Sequence, residues 1–329
     1  MRFALTALVT GATGFIGRAL VRRLSAAGTP VLAMVRDPAR AGDLAALPGV
    51  ELARGDLGDA ALLRDLAARA SVIYHLAGLT SARGREQFMA VNAAATGSLA
   101  AAASSVPNPP AFVYVSSLAV AGPRTAADPA REDDPPAPVN PYGESKLGGE
   151  LLLASAGSGL RRAVVRPPWV YGPGDRQTLP LFRMASRGFF PSVRGGRMQV
   201  SLVHVDDLVE AIVLMGGAAT RGGRTYYVTD GRVHTLAELG DALLEACGGG
   251  RRLRIPGPLF LLAGLAGEAA SWATRRPVLL GRHRAGEALQ AGWVCDDARI
   301  RAELGYRSRI ALAGGLASTL VWYRRQGWL

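Results

Sequence analysis

Thr10-Gly11-Ala12-Thr13-Gly14-Phe15-Ile16-Gly17 joins an apolar run, Phe3–Thr10, to a helical one, Arg18–Ala27. The first run predicts a buried strand and the second a helix, so the glycines fall in a strand–turn–helix unit. Gly11 permits the tight turn, Gly14 lets backbone approach a pyrophosphate, and Gly17 allows close helix–sheet packing. Amide donors and the positive end of the helix favour phosphate at this place. Thr13, Phe15 and Ile16 complete a candidate dinucleotide-binding turn with the three glycines.

Outward from this turn, short apolar runs alternate with helical ones. Strands are expected at Pro30–Val35, Ser71–His75, Ala111–Ser116 and Arg162–Val165, with helices at Ala60–Arg69, Phe88–Ser104 and Lys146–Ala156. Such alternation predicts an α/β fold, a Rossmann-type doubly wound parallel sheet with helices on both faces. Six prolines between Gly122 and Pro141 mark a long loop. Beyond Tyr171 the rhythm loosens. Helices are expected at Leu179–Gly188, Val205–Met215, Leu236–Cys247, Leu259–Trp272, Ala298–Leu304 and Leu312–Arg325, with strands at Met198–Val203 and Tyr226–Val228. Residues 1–170 thus read mainly as a dinucleotide-binding core. Residues 171–329 read as a smaller, partly discontinuous substrate-binding lobe, with a return to the core near 198–230.

Tyr142-Gly143-Glu144-Ser145-Lys146 follows the proline-rich loop and places a phenol and an ammonium on one helix face. A phenol titrating near 10 is a poor base at neutral pH, and a nearby cation favours its ionised form. Lysine is a compact charge with three rotatable donors, which a planar guanidinium does not reproduce. Lys146 is the one lysine among 38 Lys and Arg residues. Ser116 and Ser117 end the preceding predicted strand, where a hydroxyl can bond a substrate oxygen.

The spacing GxxGxxG, the strand-end serines and the YxxxK pair together resemble the extended short-chain dehydrogenase/reductase family, of the NAD-dependent epimerase/dehydratase kind. The resemblance spans nearly the whole chain. It implies Ser117, three residues before Val120-Ala121-Gly122, as substrate orienter, Tyr142 as acid/base, and Lys146 as its electrostatic partner and ribose anchor. It implies that Asp56 and Leu57 meet the adenine, although Asp56 also suits a helix cap. Ala77 and Gly78 would lie against the cofactor, and Pro167 and Val170 by the nicotinamide. Asn92 takes the place of the family's helix-four asparagine, which steadies active-site backbone and water, or is a helix-breaking structural residue. Tyr171 and Arg176 would line the substrate cleft, while His75 and His204 are structural. At the end of the second strand, Arg36 would bind a 2′-phosphate, with Arg40 as a second candidate. Asp37 could instead serve the ribose, but on the strength of Arg36 NADP(H) is favoured over NAD(H).

Composition narrows the function classes. The chain has 329 residues, 49% of them hydrophobic, and a formal charge of +12. The arginines are dispersed in short pairs such as Arg161–Arg162, Arg251–Arg252 and Arg275–Arg276, without a zinc finger or an aromatic-basic platform. Specific nucleic-acid binding is therefore not expected. Cys247 and Cys295 lack metal-ligand spacing, which fits a reduced, cytoplasmic setting and no bound metal. No stretch offers 18 uninterrupted apolar residues. The opening MRFALTALVT reads as a buried strand rather than a targeting segment.

Val120-Ala121-Gly122-Pro123 looks like the version in 3β-hydroxysteroid dehydrogenases and in β-keto or dihydroflavonol-type reductases. With the apolar run Leu259–Trp272, it implies alcohol/ketone interconversion on a small hydrophobic substrate. The alternative is a nucleotide-sugar epimerase or dehydratase using bound NAD, and a non-catalytic NADP-sensing protein is a third reading. A homodimer is the expected assembly. Leu259–Trp272 either covers the substrate or rests weakly on a membrane surface, which would make the protein peripheral to a membrane.

Overall fold

The computed structural model describes residues 5–82, 84–157, 159–219, 223–274 and 286–329, and side chains of the 257–274 helix as far as residue 267. The strands are β1 (Ala7–Thr10), β2 (Val31–Val35), β3 (Val50–Arg54), β4 (Val72–His75), β5 (Ala111–Val115), β6 (Arg162–Arg166), β7 (Trp169–Tyr171), β8 (Phe189–Val193), β9 (Gln199–His204), β10 (Thr225–Tyr227), β11 (Val233–Thr235), β12 (Arg251–Ile255) and β13 (Gly292–Trp293). Among the described residues, seven of them form one parallel sheet in the order β10-β6-β5-β4-β1-β2-β3. The order reverses between β1 and β4, which opens a crevice at the carboxyl ends of those two strands.

Both faces of this sheet are covered, so its inner strands β1, β2, β4 and β5 are buried at every position rather than alternating. On β1, Ala7 and Val9 pack with Leu20, Leu24 and Ile212 from the helices Phe15–Ala26 and Val205–Ala218. Leu8 points the other way, towards Leu63, Leu99 and Leu153 of the helices Ala60–Arg69, Ala95–Ser104 and Pro141–Ser155. β5 repeats the division, with Val113 on the first face and Phe112 and Tyr114 on the second.

The later strands carry the second layer. β9 sits between β11 and β13 and also pairs with β7, while β12 pairs with β8. A third cluster, built on Phe182, Leu239, Leu243, Leu316 and Tyr323, fills this part. Asp207 fastens the last segment to the core. Its buried carboxylate accepts from Ser308 Oγ at 2.7 Å, Ile310 N at 3.0 Å and Arg309 N at 3.1 Å.

Most expected elements lie where the pattern put them, and Ala60–Arg69, Ala298–Leu304 and Leu312–Arg325 coincide residue for residue. The expected single helix Phe88–Ser104 differs. A helical turn at Arg85–Phe88 runs into a π-helical stretch at Met89–Ala94 and only then into Ala95–Ser104. β3, β7, β8, β11, β12 and β13 were not delimited by the pattern; the short or exposed ones bury too little to leave a two-residue period. The sequence pair Arg275–Arg276 lies outside the described residues.

Asp207→Ala removes the carboxylate and leaves the Ser308, Arg309 and Ile310 donors without their acceptor. We expect a loss of about 2–3 kcal/mol in denaturant unfolding; a change below roughly 0.5 kcal/mol, ordinary for a surface substitution, would contradict the fastening role.

Candidate active site

The turn after β1 and the turn after β4 meet at the crevice. Gly11 has φ +70°, and a Cβ there would stand 2.6 Å from Ala77 N. A Cβ on Gly17 would run into the Gly11 carbonyl oxygen. The turn closes through Gly14 N donating to Gly11 O at 2.9 Å, and Gly14 caps the Phe15–Ala26 helix. Thr13 is exposed; Phe15 and Ile16 are half-buried in the first turn of that helix. Thr10 Oγ1 links the two turns, 2.6 Å from His75 Nδ1 and accepting from Ala77 N at 3.4 Å. His75 is fully buried, and burial with the nearby Lys146 charge lowers its pKa to about 3. It is a neutral structural group.

Gly78 opens onto the candidate proton-transfer residues. A Cβ at Gly78 would lie 2.9 Å from Asn92 Oδ1 and 3.7 Å from Lys146 Nζ. Backbone bare of side chains, a helix N-terminus and a buried ammonium around one crevice suit an extended, anionic dinucleotide. The residues present therefore fit that cofactor.

The helix Pro141–Ser155 starts where the chemistry needs it. Asn140 Oδ1 caps it by accepting from Gly143 N at 2.7 Å, and Pro141 takes the first helical position. Tyr142 is half-buried, with its ring 5.9 Å from that of Phe88. Lys146 is buried; its Nζ donates to Val115 O at 2.6 Å and lies 4.4 Å from the centre of the Tyr114 ring. Burial pulls its pKa down from 10.5 to about 7, against the opposing pull of the Glu150 charge.

The two serines part company. Ser116 is buried and donates to Glu150, which also takes a two-pronged ion pair from Arg166, Nη2 at 2.7 Å and Nε at 3.0 Å. Arg166 Nη1 continues to Tyr227 OH at 3.2 Å. Ser117 is half-buried and accepts from Ala119 N at 3.2 Å, which leaves its O–H uncommitted among the described residues. Asn92 is buried in the π-helical stretch, accepting from Leu79 N at 2.7 Å and donating to Leu79 O at 2.9 Å and Ser145 Oγ at 3.0 Å. It braces the loop after β4, and the helix irregularity belongs to that brace.

The remaining candidates are more dispersed. Pro167 is buried and its carbonyl accepts from Leu118 N at 2.9 Å, which ties the strand-six segment to the serine turn. Val170 is half-buried against the first core cluster, and Leu57 against the second. Tyr171 is buried against His204, ring centres 5.4 Å apart, so it is core rather than cleft lining. Arg176 stacks on Trp328 at 4.6 Å. Asp56 is exposed and accepts from Gly58 N at 3.0 Å; the cap of the next helix is Asp59, which accepts from Leu62 N at 3.0 Å. Arg36 is exposed after β2, and Asp37 accepts from Ala39 N at 3.1 Å. The pattern missed Glu150 as the centre of a buried network. Its spacing of four residues from Lys146 was the available signal.

The profile of the NAD dependent epimerase/dehydratase family matches residues 7–228. The chain belongs to that family. It is an NAD-dependent oxidoreductase of the extended short-chain type, working by hydride transfer. It is 36% identical to the ceramide reductase of Caulobacter vibrioides over 327 residues, 98% of this chain and 95% of that protein. It is 31% identical to the dTDP-glucose 4,6-dehydratase of Streptomyces niveus, over 96% and 92%. Among solved structures, DesIV, the dTDP-glucose 4,6-dehydratase of Streptomyces venezuelae with NAD and TYD bound, superposes with a TM-score of 0.80, 26% identity and 98% of each chain covered. MoeE5 in complex with UDP-glucuronic acid and NAD gives a TM-score of 0.76 at 26% identity, over 98% and 99%.

These relatives correct three expectations. NADP(H) is replaced by NAD(H), the dinucleotide held in the solved relatives. The physical reason lies after β2, where the Asp37 carboxylate beside Arg36 repels a 2′-phosphate and can accept from ribose hydroxyls. The small hydrophobic substrate, and with it alcohol/ketone conversion on a steroid-, β-keto- or flavonoid-like molecule, gives way to the nucleotide sugars of these structures and of the dehydratases. The 3β-hydroxysteroid dehydrogenase placement falls back to the broader family, and Val120 and Ala121 are buried core residues beside the serine turn. Among the described residues, no helix is long and apolar enough to cross a membrane, and no cluster of His, Cys, Asp and Glu could hold a metal.

Lys146 gives a pH-dependent test of the buried site. From about pH 7 to 10.5 the unfolded chain keeps a proton that the folded chain has released. Stability contributed by this group therefore rises with pH across that window. Denaturation midpoints of wild type and Lys146→Met should separate in favour of wild type as pH increases; a separation independent of pH would contradict the lowered pKa.

Proposed function

We propose that this chain epimerises or dehydrates a nucleotide sugar, a UDP- or dTDP-linked hexose, with NAD retained through the cycle. The observation that carries the reading is the end-to-end similarity to dTDP-glucose 4,6-dehydratases, 31% over 342 residues in the first of them. The pairing of NAD with nucleotide sugars in the solved relatives supports it.

Bound NAD supplies the hydride acceptor and, on the return step, the hydride donor. Tyr142 takes the proton from the substrate hydroxyl as the adjacent C–H bond breaks, and gives it back when the bond re-forms. Lys146 lies one turn further along the same helix, and its ammonium favours the ionised phenol. Ser117 donates its uncommitted O–H to the substrate oxygen and stabilises charge there. Gly11, Thr13, Gly14, Phe15, Ile16 and Gly17 hold the pyrophosphate. Asp56 and Leu57 meet the adenine, Ala77 and Gly78 let the dinucleotide lie close, Pro167 and Val170 flank the nicotinamide, and Asn92 braces the loop beneath it. Asp37, rather than Arg36, takes the ribose hydroxyls.

The protein supplied with NAD should convert UDP-glucose, UDP-glucuronic acid or dTDP-glucose to an epimerised or dehydrated sugar without net NADH formation, read by product chromatography. No sugar conversion, together with stoichiometric oxidation of NADH or NADPH by a keto form of a ceramide, would overturn the reading. Tyr142→Phe should lower turnover roughly 100- to 10,000-fold, the usual worth of a positioned acid/base, while NAD binding persists. Wild-type turnover in that variant would remove Tyr142 from the role.

A further inference from the structure

The helix Gly257–Thr274 begins with eleven residues, Gly257 to Gly267, that contain no polar side chain. Successive residues advance by about 100° around a helix, so this stretch presents every direction. The inner side holds the buried Gly264 and the half-buried Phe260 and Gly267. The outer side presents Leu259, Leu261, Leu262, Ala263, Leu265 and Ala266, with Leu259 and Leu262 more than half exposed, at 57% and 59%. An ordinary surface helix puts charged or polar residues on that side.

The strand that feeds this helix supplies the missing polar groups, all of one sign. In β12, Arg251, Arg252 and Arg254 are exposed, and Leu253 between them is 46% exposed. The sequence continues the bias: residues 249–286 hold seven arginines, Arg251, Arg252, Arg254, Arg275, Arg276, Arg282 and Arg284, against a single acidic residue, Glu268. That segment alone carries half of the net charge of +12.

We propose that β12 and the first three turns of the Gly257–Thr274 helix form a docking surface for an anionic lipid bilayer. The leucines enter the boundary between headgroups and acyl chains while the neighbouring arginines meet lipid phosphates. The helix lies on the surface rather than spanning it. Charge decides the occupant. A second copy of the chain placed symmetrically on this face would oppose arginines to arginines across the contact, whereas an anionic membrane complements both the apolar face and its cationic edge.

The test is co-sedimentation of the full chain with phosphatidylglycerol–phosphatidylcholine vesicles and with pure phosphatidylcholine vesicles, at low and high salt. Binding should favour the anionic vesicles and weaken with salt. Arg251→Glu/Arg254→Glu and Leu259→Ser/Leu262→Ser should each weaken it about tenfold or more, because one arginine near an anionic surface is worth about a factor of five and one buried methylene about a factor of four. Both variants should keep wild-type NAD binding, which shows that they fold. Equal binding to neutral vesicles, absence of binding, or a concentration-dependent dimer abolished by Leu259→Ser/Leu262→Ser would overturn the proposal.

Discussion

The turns after β1 and β4 approach so closely that no side chain fits between them, and the rest of the site is arranged around that approach. Gly11 holds a left-handed conformation against Ala77, and Gly17 lets the first helix close on the Gly11 carbonyl. The strand order reverses at the same place. A parallel sheet covered on both faces has few openings, and this one lies at the carboxyl ends of two neighbouring strands. Bare backbone and a helix N-terminus meet there.

The second constraint is electrostatic. Lys146 sits beneath the crevice with its ammonium on a backbone carbonyl and a tyrosine ring, at a large desolvation cost. Glu150 is close enough to oppose the shift but is committed to Arg166 and Ser116. A carboxylate bonded to two partners holds its place, so the field it sets at Lys146 is fixed. Neutral His75 on the other side adds no competing cation. In the proposed mechanism, conversion of a poor phenolic base into a useful one rests on this packing as much as on the YxxxK spacing.

The sequence made the strand–turn–helix unit, the alternating core and the Tyr142–Lys146 pair legible, because each rests on local spacing. It did not reveal how Asp207 would fasten residues 308–310 or how Asn92 would brace Leu79 from within a π-helical stretch, since those partners are fixed only by long-range packing. Asp56 and Asp59 illustrate the limit: both suit a helix cap, and the helix start decides for Asp59. Cofactor and substrate are not legible in the sequence for a related reason. Arg36 beside Asp37 carries opposite signals, and an apolar run near the chain end reads alike as a substrate cover or as an outer surface. Exposure of Leu259 and Leu262 assigns that run to the outside.

A dinucleotide crevice with Lys146 at its inner edge is central to the proposed function. A crystal structure of the NAD complex tests this most directly. The pyrophosphate should lie on the Gly11–Gly17 turn, with Lys146 Nζ and Tyr142 OH within hydrogen-bond reach of the nicotinamide ribose. A dinucleotide bound elsewhere, or one that leaves Lys146 without contact to it, would contradict the account.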